Sequence, residues 1–235
     1  MKLDKLKEEF IREDVGINEE YGKIFTYIDF GNVNYWFEKD KQNSRNQSLK
    51  ENEKLIIDFR LLKLFINTFS NHVRFYYGHD SKRLNSLAFI KSVRATFGKS
   101  RVFTKPIQWV RHHLNDSEII TNTRETKTDK DGIYINLPKC NFDVEIAVDS
   151  IRQMDQYDSL CLFSGDADFA SLMRYLKSKD KKIILVKGGN ITHELKSLSN
   201  LIINAQNIKK YITNIKQKPG NKPGLADRNP VSTGR

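Results

Sequence analysis

The sequence contains little cysteine, and it has no long apolar run. Its two cysteines, Cys140 and Cys161, do not stand at the spacing of metal ligands. Neither a zinc site nor a disulfide framework is therefore expected, which agrees with a reduced, cytoplasmic setting. No stretch approaches the ~18 apolar residues of a membrane span, so we expect no membrane association. The first residues mix charges and lack an apolar segment, so no signal peptide is predicted.

What the chain does have is positive charge. It carries 40 lysines and arginines against 29 aspartates and glutamates, which gives a net charge of +11 and a pI near 9.5. A basic surface attracts polyanions and raises their association rate. Charge alone does not decide for nucleic acid, since many basic proteins bind none. It makes nucleic acid a partner to be tested against the motifs.

Strand-like and helix-like segments alternate along the chain. Strands are predicted at 23–29, 72–78, 101–109, 158–163, 182–187 and 201–203. Helices are predicted at 3–12, 59–69, 84–97, 142–154, 166–179, 193–198 and 207–215, with one more through 35–37. Residues 111–138 are polar and contain the turn signal Asp131-Gly132, so they are interpreted as a hairpin excursion. This alternation predicts an α/β fold with a parallel sheet between helices.

Local signals refine three of these segments. Asp58 is predicted to cap the helix at 59–69, and Gly98 to end the helix at 84–97. The helix at 142–154 is predicted to bury an apolar stripe. That stripe consists of Val144, Ala147, Val148 and Ile151.

Composition divides the chain into three parts. Residues 1–22 form a helical extension, and residues 23–215 form the main domain. Residues 216–235 hold three of the five prolines together with several basic residues, and they are predicted to be a disordered basic tail.

Aspartates collect where the predicted strands end. Asp29 ends the first strand, and Asp166 and Asp168 follow the strand at 158–163. Asp143 begins the helix that leads into that same strand. The carboxyl ends of parallel strands meet at one edge of a sheet, where functional groups gather. A single aspartate at a helix start is more often a cap, but several carboxylates at one edge repel each other unless a cation lies among them. Oxygen ligands suit Mg²⁺ or Mn²⁺.

Three segments together resemble the NYN domain, in the LabA-like branch of the PIN-like nuclease superfamily. They are residues 27–34 (YIDFGNVN), residues 139–149 (KCNFDVEIAVD) and residues 162–169 (LFSGDADF). The resemblance implies a PIN-like three-layer α/β/α sandwich with a mainly parallel central sheet. It also implies a metal-dependent ribonuclease that uses Mg²⁺ or Mn²⁺ and has RNA as its partner. Since PIN-like domains often pair, a homodimer is compatible with it.

The resemblance assigns roles to the acidic residues. The metal-binding and catalytic positions are matched by Asp29, Asp143, Asp166 and Asp168. We expect Asp29 and Asp166 to anchor the ion, with the other two completing its shell, partly through water. Asp166 and Asp168 would point about 200° apart if both were helical, so one of them could act through water or serve as a cap.

Asp149 matches a further recurring acid of the family. It lies nearly two helical turns beyond Asp143, so it is expected at the pocket edge or in a structural role. The segment from Lys139 to Asp143 departs from the family pattern, because it is one residue longer and lacks the usual glycine. This leaves the role of Lys139 open.

RNA must be held as well as cut. Asn32 and Ser164 match residues that accompany the acids, and Lys187 and Arg111 are expected to reach phosphates. Further basic and aromatic candidates near the same edge are Tyr35, Trp36, Arg83, Lys105, Trp109, His112 and His113. Trp36 is expected in the core, because large aromatics are mostly buried. Adjacent residues on a strand point to opposite faces, so His112 and His113 are not expected to share a metal.

Two alternatives to the nuclease remain open. One is a catalytically silent RNA-binding or regulatory module that kept the fold and the acidic pocket. The other is a phosphatase or 5′-nuclease with a similar pocket. A pure binder has no need of a repulsive carboxylate cluster facing a polyanion, which favours the nuclease.

Overall fold

A computed structural model describes residues 2–121 and 125–217. The helices are α1 (Lys2–Asp14), α2 (Phe30–Val33), α3 (Phe59–Asn67), α4 (Leu84–Phe97), α5 (Asp116–Thr121), α6 (Asp143–Arg152), α7 (Ala170–Lys177), α8 (His193–Leu198) and α9 (Ala205–Ile212). The strands are β1 (Ile24–Asp29), β2 (Glu53–Ile57), β3 (His72–His79), β4 (Val102–Pro106), β5 (Gln108–His113), β6 (Lys127–Asp129), β7 (Gly132–Lys139), β8 (Ser159–Phe163), β9 (Lys182–Lys187), β10 (Leu201–Asn204) and β11 (Thr213–Gln217).

Six strands form a central sheet in the order β10-β9-β8-β1-β3-β4, and all neighbouring pairs are parallel. Every residue of β8 is buried, as expected of a strand covered on both faces. In a parallel sheet every strand ends at the same edge. The carboxyl ends of the neighbours β1 and β8 therefore lie side by side.

Helices cover both faces of this sheet, because successive side chains of each strand point to opposite sides. On β1, Ile24 and Ile28 join one apolar cluster with residues of α3, α4 and α9. Phe25 and Tyr27 join a second cluster with residues of α6, α7 and α8. The architecture is thus a three-layer α/β/α sandwich with a parallel central sheet, which confirms the predicted fold class.

Several boundaries follow from local chemistry as expected. The Asp58 carboxylate accepts hydrogen bonds from the Arg60 and Leu61 amides and so caps α3. The residue after α4 is Gly98, whose φ of +94° favours glycine. These are positions where one residue type satisfies the backbone, so the sequence alone predicts them.

The helix expected through residues 35–37 was wrong, because α2 ends at Val33. The chain continues in tight turns, in which the Trp36 amide donates to the Val33 carbonyl at 3.2 Å. Phe30, Val33 and Phe37 are all buried in the first cluster. Phe30 and Val33 are therefore buried from α2, and Phe37 from the turns that follow it.

The strand expected at 101–109 is two strands in different sheets. β4 ends at Pro106, on the outer edge of the central sheet. Proline has no amide hydrogen to donate, which suits it to such a position. The chain then leaves as β5, which pairs with β7 in an antiparallel three-stranded sheet of order β5-β7-β6. The β6–β7 hairpin turns at Lys130 and Asp131, so the predicted hairpin excursion is confirmed.

The stripe predicted for α6 was also wrong. Val144 is 73% exposed, and Ile146 and Ser150 are the residues of this helix that are fully buried. The Ser150 hydroxyl donates to the Ile146 carbonyl at 2.7 Å, so this serine is buried without an unpaired polar group. A prediction based on polarity places Ser150 on the solvent face, so it assigns the wrong face of α6 to the core.

At the end of the described chain, β11 pairs with β2 in antiparallel fashion. This strand extends to Gln217, two residues beyond the boundary predicted at 215. Neither β2 nor β11 was predicted from the sequence. The rest of the predicted tail, 218–235, lies outside the described residues. Among the residues that are described, no helix combines the length and apolar character needed to cross a bilayer.

Candidate metal centre

Asp29 stands at the carboxyl end of β1 but does not cap the helix that follows. Its side chain makes no capping hydrogen bond to α2. Instead its Oδ2 accepts a hydrogen bond from the Ser164 hydroxyl at 3.2 Å. The carboxylate is thus turned across the sheet edge toward the end of β8.

Ser164 and Asn32 fix the arrangement of this edge. Ser164 is fully buried, and its oxygen also accepts from the Asp166 amide at 3.2 Å. The Asn32 side-chain oxygen accepts from the Gly165 amide at 3.2 Å and so ties α2 to the loop after β8. Both residues had been expected to contact substrate. Their hydrogen bonds position Asp29 and the loop, and the expected contact with substrate stays a prediction.

Asp166 precedes the helical turn that contains Asp168. Asp166 has extended backbone dihedrals, with φ of −75° and ψ of 127°, and its carboxylate accepts from the Asp168 amide at 3.0 Å. Asp166 therefore caps the short 3₁₀ turn at 167–169 and precedes any helix. The angular objection raised by helical geometry does not apply, because Asp166 is not helical.

Asp143 completes this group. One carboxylate oxygen from each of Asp143, Asp166 and Asp168 lies within 4.8 Å of the others. The amide of Asp143 donates to the Asn141 side chain at 2.7 Å. Asn141 therefore accepts one of the amides at the start of α6, and its side chain also acts to lower the pKa of Asp143. The sequence signal for Asn141 is an asparagine two residues before a helix, and it had been overlooked.

Among the described residues, burial and like charges dominate the electrostatics of this cluster. Burial, together with the nearby Asp143 and Asp166, raises the pKa of Asp29 to about 6, although hydrogen bonds from Ser164 and the Asn32 amide act to lower it. Burial likewise raises the pKa of Asp143, and Asp166 and Asp168 add to the rise. Lys105 lowers the pKa of Asp143, but its ammonium lies 2.6 Å from Glu145. A cation among these carboxylates would remove the repulsion.

The acids open into a cavity of about 340 Å³. Its lining residues are Asp29, Gly31, Asn32, Tyr35, Gly78, Ile107, Cys140, Asn141, Phe142, Asp143 and Asp166. Gly78 is required here, because a Cβ at this position would lie 2.5 Å from the Cys140 side chain. Tyr35 is 62% exposed and also borders a larger groove of about 710 Å³. The acidic cavity is therefore open to a chain-like ligand on the Tyr35 side.

The donor set fits a hard divalent ion. All the groups that converge are carboxylate oxygens, the ligands that Mg²⁺ and Mn²⁺ prefer. The compact group consists of Asp143, Asp166 and Asp168. Asp29 lines the acidic cavity but is not a member of this group. The expected anchoring pair, Asp29 and Asp166, lines one cavity and stays a prediction, while Asp166 also has Asp143 and Asp168 close to it.

Asp149 is separated from the cavity by its partners. Its carboxylate lies 2.6 Å from the Arg74 guanidinium and accepts from the Tyr76 hydroxyl at 2.6 Å. Both partners belong to β3, a strand of the central sheet. Of the two roles expected for Asp149, the structural one fits these contacts.

Two basic residues expected at the site make other contacts. The Lys187 ammonium donates to the Gly189 carbonyl just beyond its own strand. Arg111 lies on β5 and contacts the Asp129 carboxylate at 3.3 Å. Neither residue lines the acidic cavity.

The histidine pair on β5 is divided as expected. His112 contacts Glu118 at 3.3 Å, and His113 contacts Asp129 at 2.9 Å. His113, Asp129 and Asp131 have potential ligand atoms within 4.8 Å of one another. Asp129 already bonds both His113 and Arg111, so its charge is balanced within the protein.

Acidic side chains at the carboxyl edge of a parallel sheet, inside a three-layer α/β/α domain, define a PIN-like protein. Residues 23–205 match the sequence profile of the NYN domain, and the chain belongs to the NYN domain family. A segment of 75 residues is 35% identical to the low amplitude and bright protein LabA of Synechococcus elongatus, which marks the domain as LabA-like. That segment covers 32% of this chain and 40% of LabA, so the likeness spans less than half of that relative.

A solved structure gives a weaker likeness. It is the crystal structure of a protein of unknown function from Vibrio parahaemolyticus, with a TM-score of 0.47 and 19% identity. The similarity covers 80% of this chain and 94% of that one.

Proposed function

We propose that the protein is a metal-dependent ribonuclease that cleaves phosphodiester bonds of single-stranded RNA. The observation that carries the proposal is the convergence of Asp143, Asp166 and Asp168 within 4.8 Å, beside the buried Asp29. Membership of the NYN family supports this chemistry. The net charge of +11 supports a polyanionic substrate.

Each residue has a role in this proposal. Asp143, Asp166 and Asp168 hold the divalent ion through their oxygens, and Asp29 contributes the fourth carboxylate of the cavity. Ser164 orients Asp29, and Asn32 keeps the loop after β8 against α2. When bound, Mg²⁺ or Mn²⁺ would lower the pKa of a water molecule and stabilise the negative charge on a phosphoryl group during its transfer. Lys187 and Arg111 remain candidates for phosphate contacts outside the cavity.

A reduced, cytoplasmic setting is also part of the proposal. Its support is that both cysteines are free thiols, with Cys140 in the cavity wall and Cys161 buried in the sheet. Burial raises the pKa of Cys161 and also that of Cys140. The thiolate forms that oxidise readily are therefore disfavoured at both positions.

The test is cleavage of a labelled single-stranded RNA by the purified protein with Mn²⁺, with Mg²⁺ and with EDTA. Asp166→Asn is the inactivating variant. Asp155→Asn is its matched control, because Asp155 lies before β8, at the opposite edge of the sheet. We expect metal-dependent cleavage that is lost in Asp166→Asn and kept in Asp155→Asn. Full activity of Asp166→Asn would remove the acidic cavity from the mechanism.

The alternatives predict different results in the same experiment. A catalytically silent module would bind this RNA without cutting it under any metal condition. A phosphatase would hydrolyse p-nitrophenyl phosphate and leave internal phosphodiesters intact. A single-stranded DNA of the same sequence shows whether the 2′-hydroxyl is required.

A further inference from the structure

The three-stranded sheet of β5, β6 and β7, here called the β-arm, grows directly out of the cavity wall. Ile107 lines the acidic cavity, and β5 begins at the next residue. β7 ends at Lys139, and the following residue, Cys140, lines the cavity again. Both ends of the arm are thus anchored at the acids. A ligand that lies along the arm leads into the cavity.

One face of the β-arm carries alternating aromatic and cationic side chains. Trp109, Arg111 and His113 share a face of β5, because they are two residues apart on a strand. The Arg111 guanidinium lies 5.1 Å from the Tyr134 ring centroid, and the Tyr134 and His113 centroids are 5.7 Å apart. At the end nearest the cavity, the Arg83 guanidinium lies 5.8 Å from the Trp109 ring. These five residues are called the ladder.

Residues of the ladder are exposed to solvent, unlike aromatic residues of the core. Trp109 is 47% exposed, and the Arg111 side chain is 63% exposed. Trp36 provides the contrast within the same chain, since it stacks on the buried Phe163 and packs against Gly188. An indole that remains half in water and carries a guanidinium over its face offers a platform for another flat ring.

The net charge of the β-arm bears on whether it would bind a nucleic acid by stacking on bases or by attracting phosphates. Residues 108–139 contain five basic and five acidic residues, so the segment is neutral although the whole chain is strongly basic. Asp129 lies 3.3 Å from Arg111, whose charge it offsets, and it also contacts His113 at 2.9 Å. Recognition on this face must therefore come mainly from aromatic rings. Bases of single-stranded RNA provide such rings, and aromatic platforms bind them with little sequence preference.

We propose that the ladder stacks the bases of a single-stranded RNA whose backbone continues into the acidic cavity. The proposal rests on the proposed function for the identity of the strand as a substrate. Trp109 lies two residues beyond Ile107, roughly 7 Å along the strand, and His113 six residues beyond it, roughly 20 Å. The ladder thus holds several nucleotides on one side of the cleavage point. Trp109 is the residue nearest to the cavity.

The test begins with binding in EDTA, where the proposed cleavage cannot occur. Fluorescence anisotropy of a labelled single-stranded RNA about twelve nucleotides long gives the dissociation constant. Trp109→Ala should weaken binding by about tenfold or more, and Trp109→Phe should restore most of the loss because phenylalanine keeps a stacking face. His112→Ala is the matched control, because it lies on the opposite face of the same strand. Thermal melting verifies that all three variants are folded.

Salt dependence separates stacking from charge. Trp109→Ala should lower affinity at every salt concentration without changing the slope of log K against log salt, because no phosphate contact is lost. A chain ending at Gln217 lacks the basic residues of 218–235 and should show a flatter slope. An equal loss in His112→Ala, or binding by Trp109→Ala as tight as wild type, would overturn the ladder. Trp109-dependent capture of a protein with no effect on RNA would overturn it as well.

Cleavage separates this proposal from the nuclease itself. A dinucleotide reaches the cavity without covering the ladder, so Trp109→Ala should cleave it as wild type does and lose rate only on the longer RNA. If wild type cleaves neither substrate but Trp109→Ala still loses binding, the ladder stands and the nuclease fails. If wild type cleaves both and Trp109→Ala matches it throughout, the nuclease stands and the ladder fails.

Discussion

Two acidic regions of the molecule lie less than two helical turns apart and have opposite surroundings. At the start of α6, Asp143 faces Asp166 and Asp168, and its pKa is raised by burial and by these like charges. Six residues later on the same helix, Asp149 is held by the Arg74 guanidinium and the Tyr76 hydroxyl, each at 2.6 Å. The carboxylates of the first region face one another, whereas the Asp149 carboxylate faces a cation.

The difference shows how to separate a functional acid from a structural one. The Asp149 carboxylate has its charge and hydrogen bonds satisfied within the fold, so it stabilises the protein without a ligand. The cavity carboxylates destabilise the metal-free protein by mutual repulsion, and the arrangement is useful when a cation binds there. Substitutions in the two regions should therefore change different observables.

The largest expected effect is on cleavage. Asp143→Asn should lower the cleavage rate at least about a thousandfold, which corresponds to about 4 kcal/mol of transition-state stabilisation. Asp149→Asn should keep the rate per folded molecule within about threefold, because its carboxylate does not line the cavity. Single-turnover cleavage with matched amounts of folded protein makes the measurement. Equal losses in both variants would abolish the distinction between the two regions.

The next effect is metal-linked stability. Mn²⁺ at a hundred times its dissociation constant should raise the free energy of unfolding by about 2.7 kcal/mol, because the ion binds only the folded cluster. Asp166→Asn should lose most of this increase, whereas Asp149→Asn should keep it. Thermal melting with Mn²⁺ and with EDTA gives the comparison. An undiminished shift in Asp166→Asn would place the ion elsewhere.

Without metal, a substitution in the Asp149 region should lower the stability of the fold more than a substitution of a cavity carboxylate. Asp149→Ala should lower the free energy of unfolding by about 2 kcal/mol, since the partly buried Arg74 and Tyr76 lose their acceptor. Asp29→Asn in EDTA should be neutral or stabilising, because it removes a buried charge near two others. Urea unfolding at neutral pH measures both. The opposite ranking would show that the cavity acids stabilise the metal-free fold.

The smallest expected effect is on how the stability of the fold changes with pH. His72 stacks on Phe25 beside the Asp149 region, and burial, aided by Arg74 and Arg101, lowers its pKa from 6.5 to about 4. The folded state then binds fewer protons than the unfolded state between these values, so this residue lowers stability as pH falls through that window. Because His72 is only half-buried, we expect about 1 kcal/mol.

The Asp29 carboxyl acts in the opposite direction, because its pKa is raised. Between 3.8 and about 6 the folded state binds more protons, so this residue lowers stability as pH rises. Urea unfolding in EDTA at several pH values should show a smaller acid loss in His72→Gln and a larger one in Asp29→Asn. Profiles parallel to wild type in both variants would contradict the two assignments.

Much of the fold could be predicted because the relevant signals are local. The bounds of α4 follow from its apolar spacing and from Gly98, and the buried strands β8 and β9 from their continuous apolar residues. The cavity acids could be named because parallel strands end at one edge. The pairing of β2 with β11 could not, since it joins segments more than 150 residues apart that are each weakly patterned.

Within the site, the sequence identified the carboxylates but not their division of labour. Ser164 and Asn32 had been assigned to substrate, and only the tertiary contacts show that they bond Asp29 and Gly165. Trp36 was expected in the core and is partly buried against Phe163, whereas the half-exposed state of Trp109 on β5 is known only from the structure. Burial depends on what packs from elsewhere in the chain.

The sequence by itself determined the α/β alternation, the family of the domain and the four aspartates that collect at one edge of the sheet. These properties are set by residue type, local spacing and the geometry common to all parallel sheets. Only the tertiary structure decided that Asp149 is neutralised by Arg74, that Asp166 joins Asp143 and Asp168, and that the β-arm rises from the cavity wall. These contacts join residues far apart in the chain, and whether a charge is paired depends on the partner that folding brings to it.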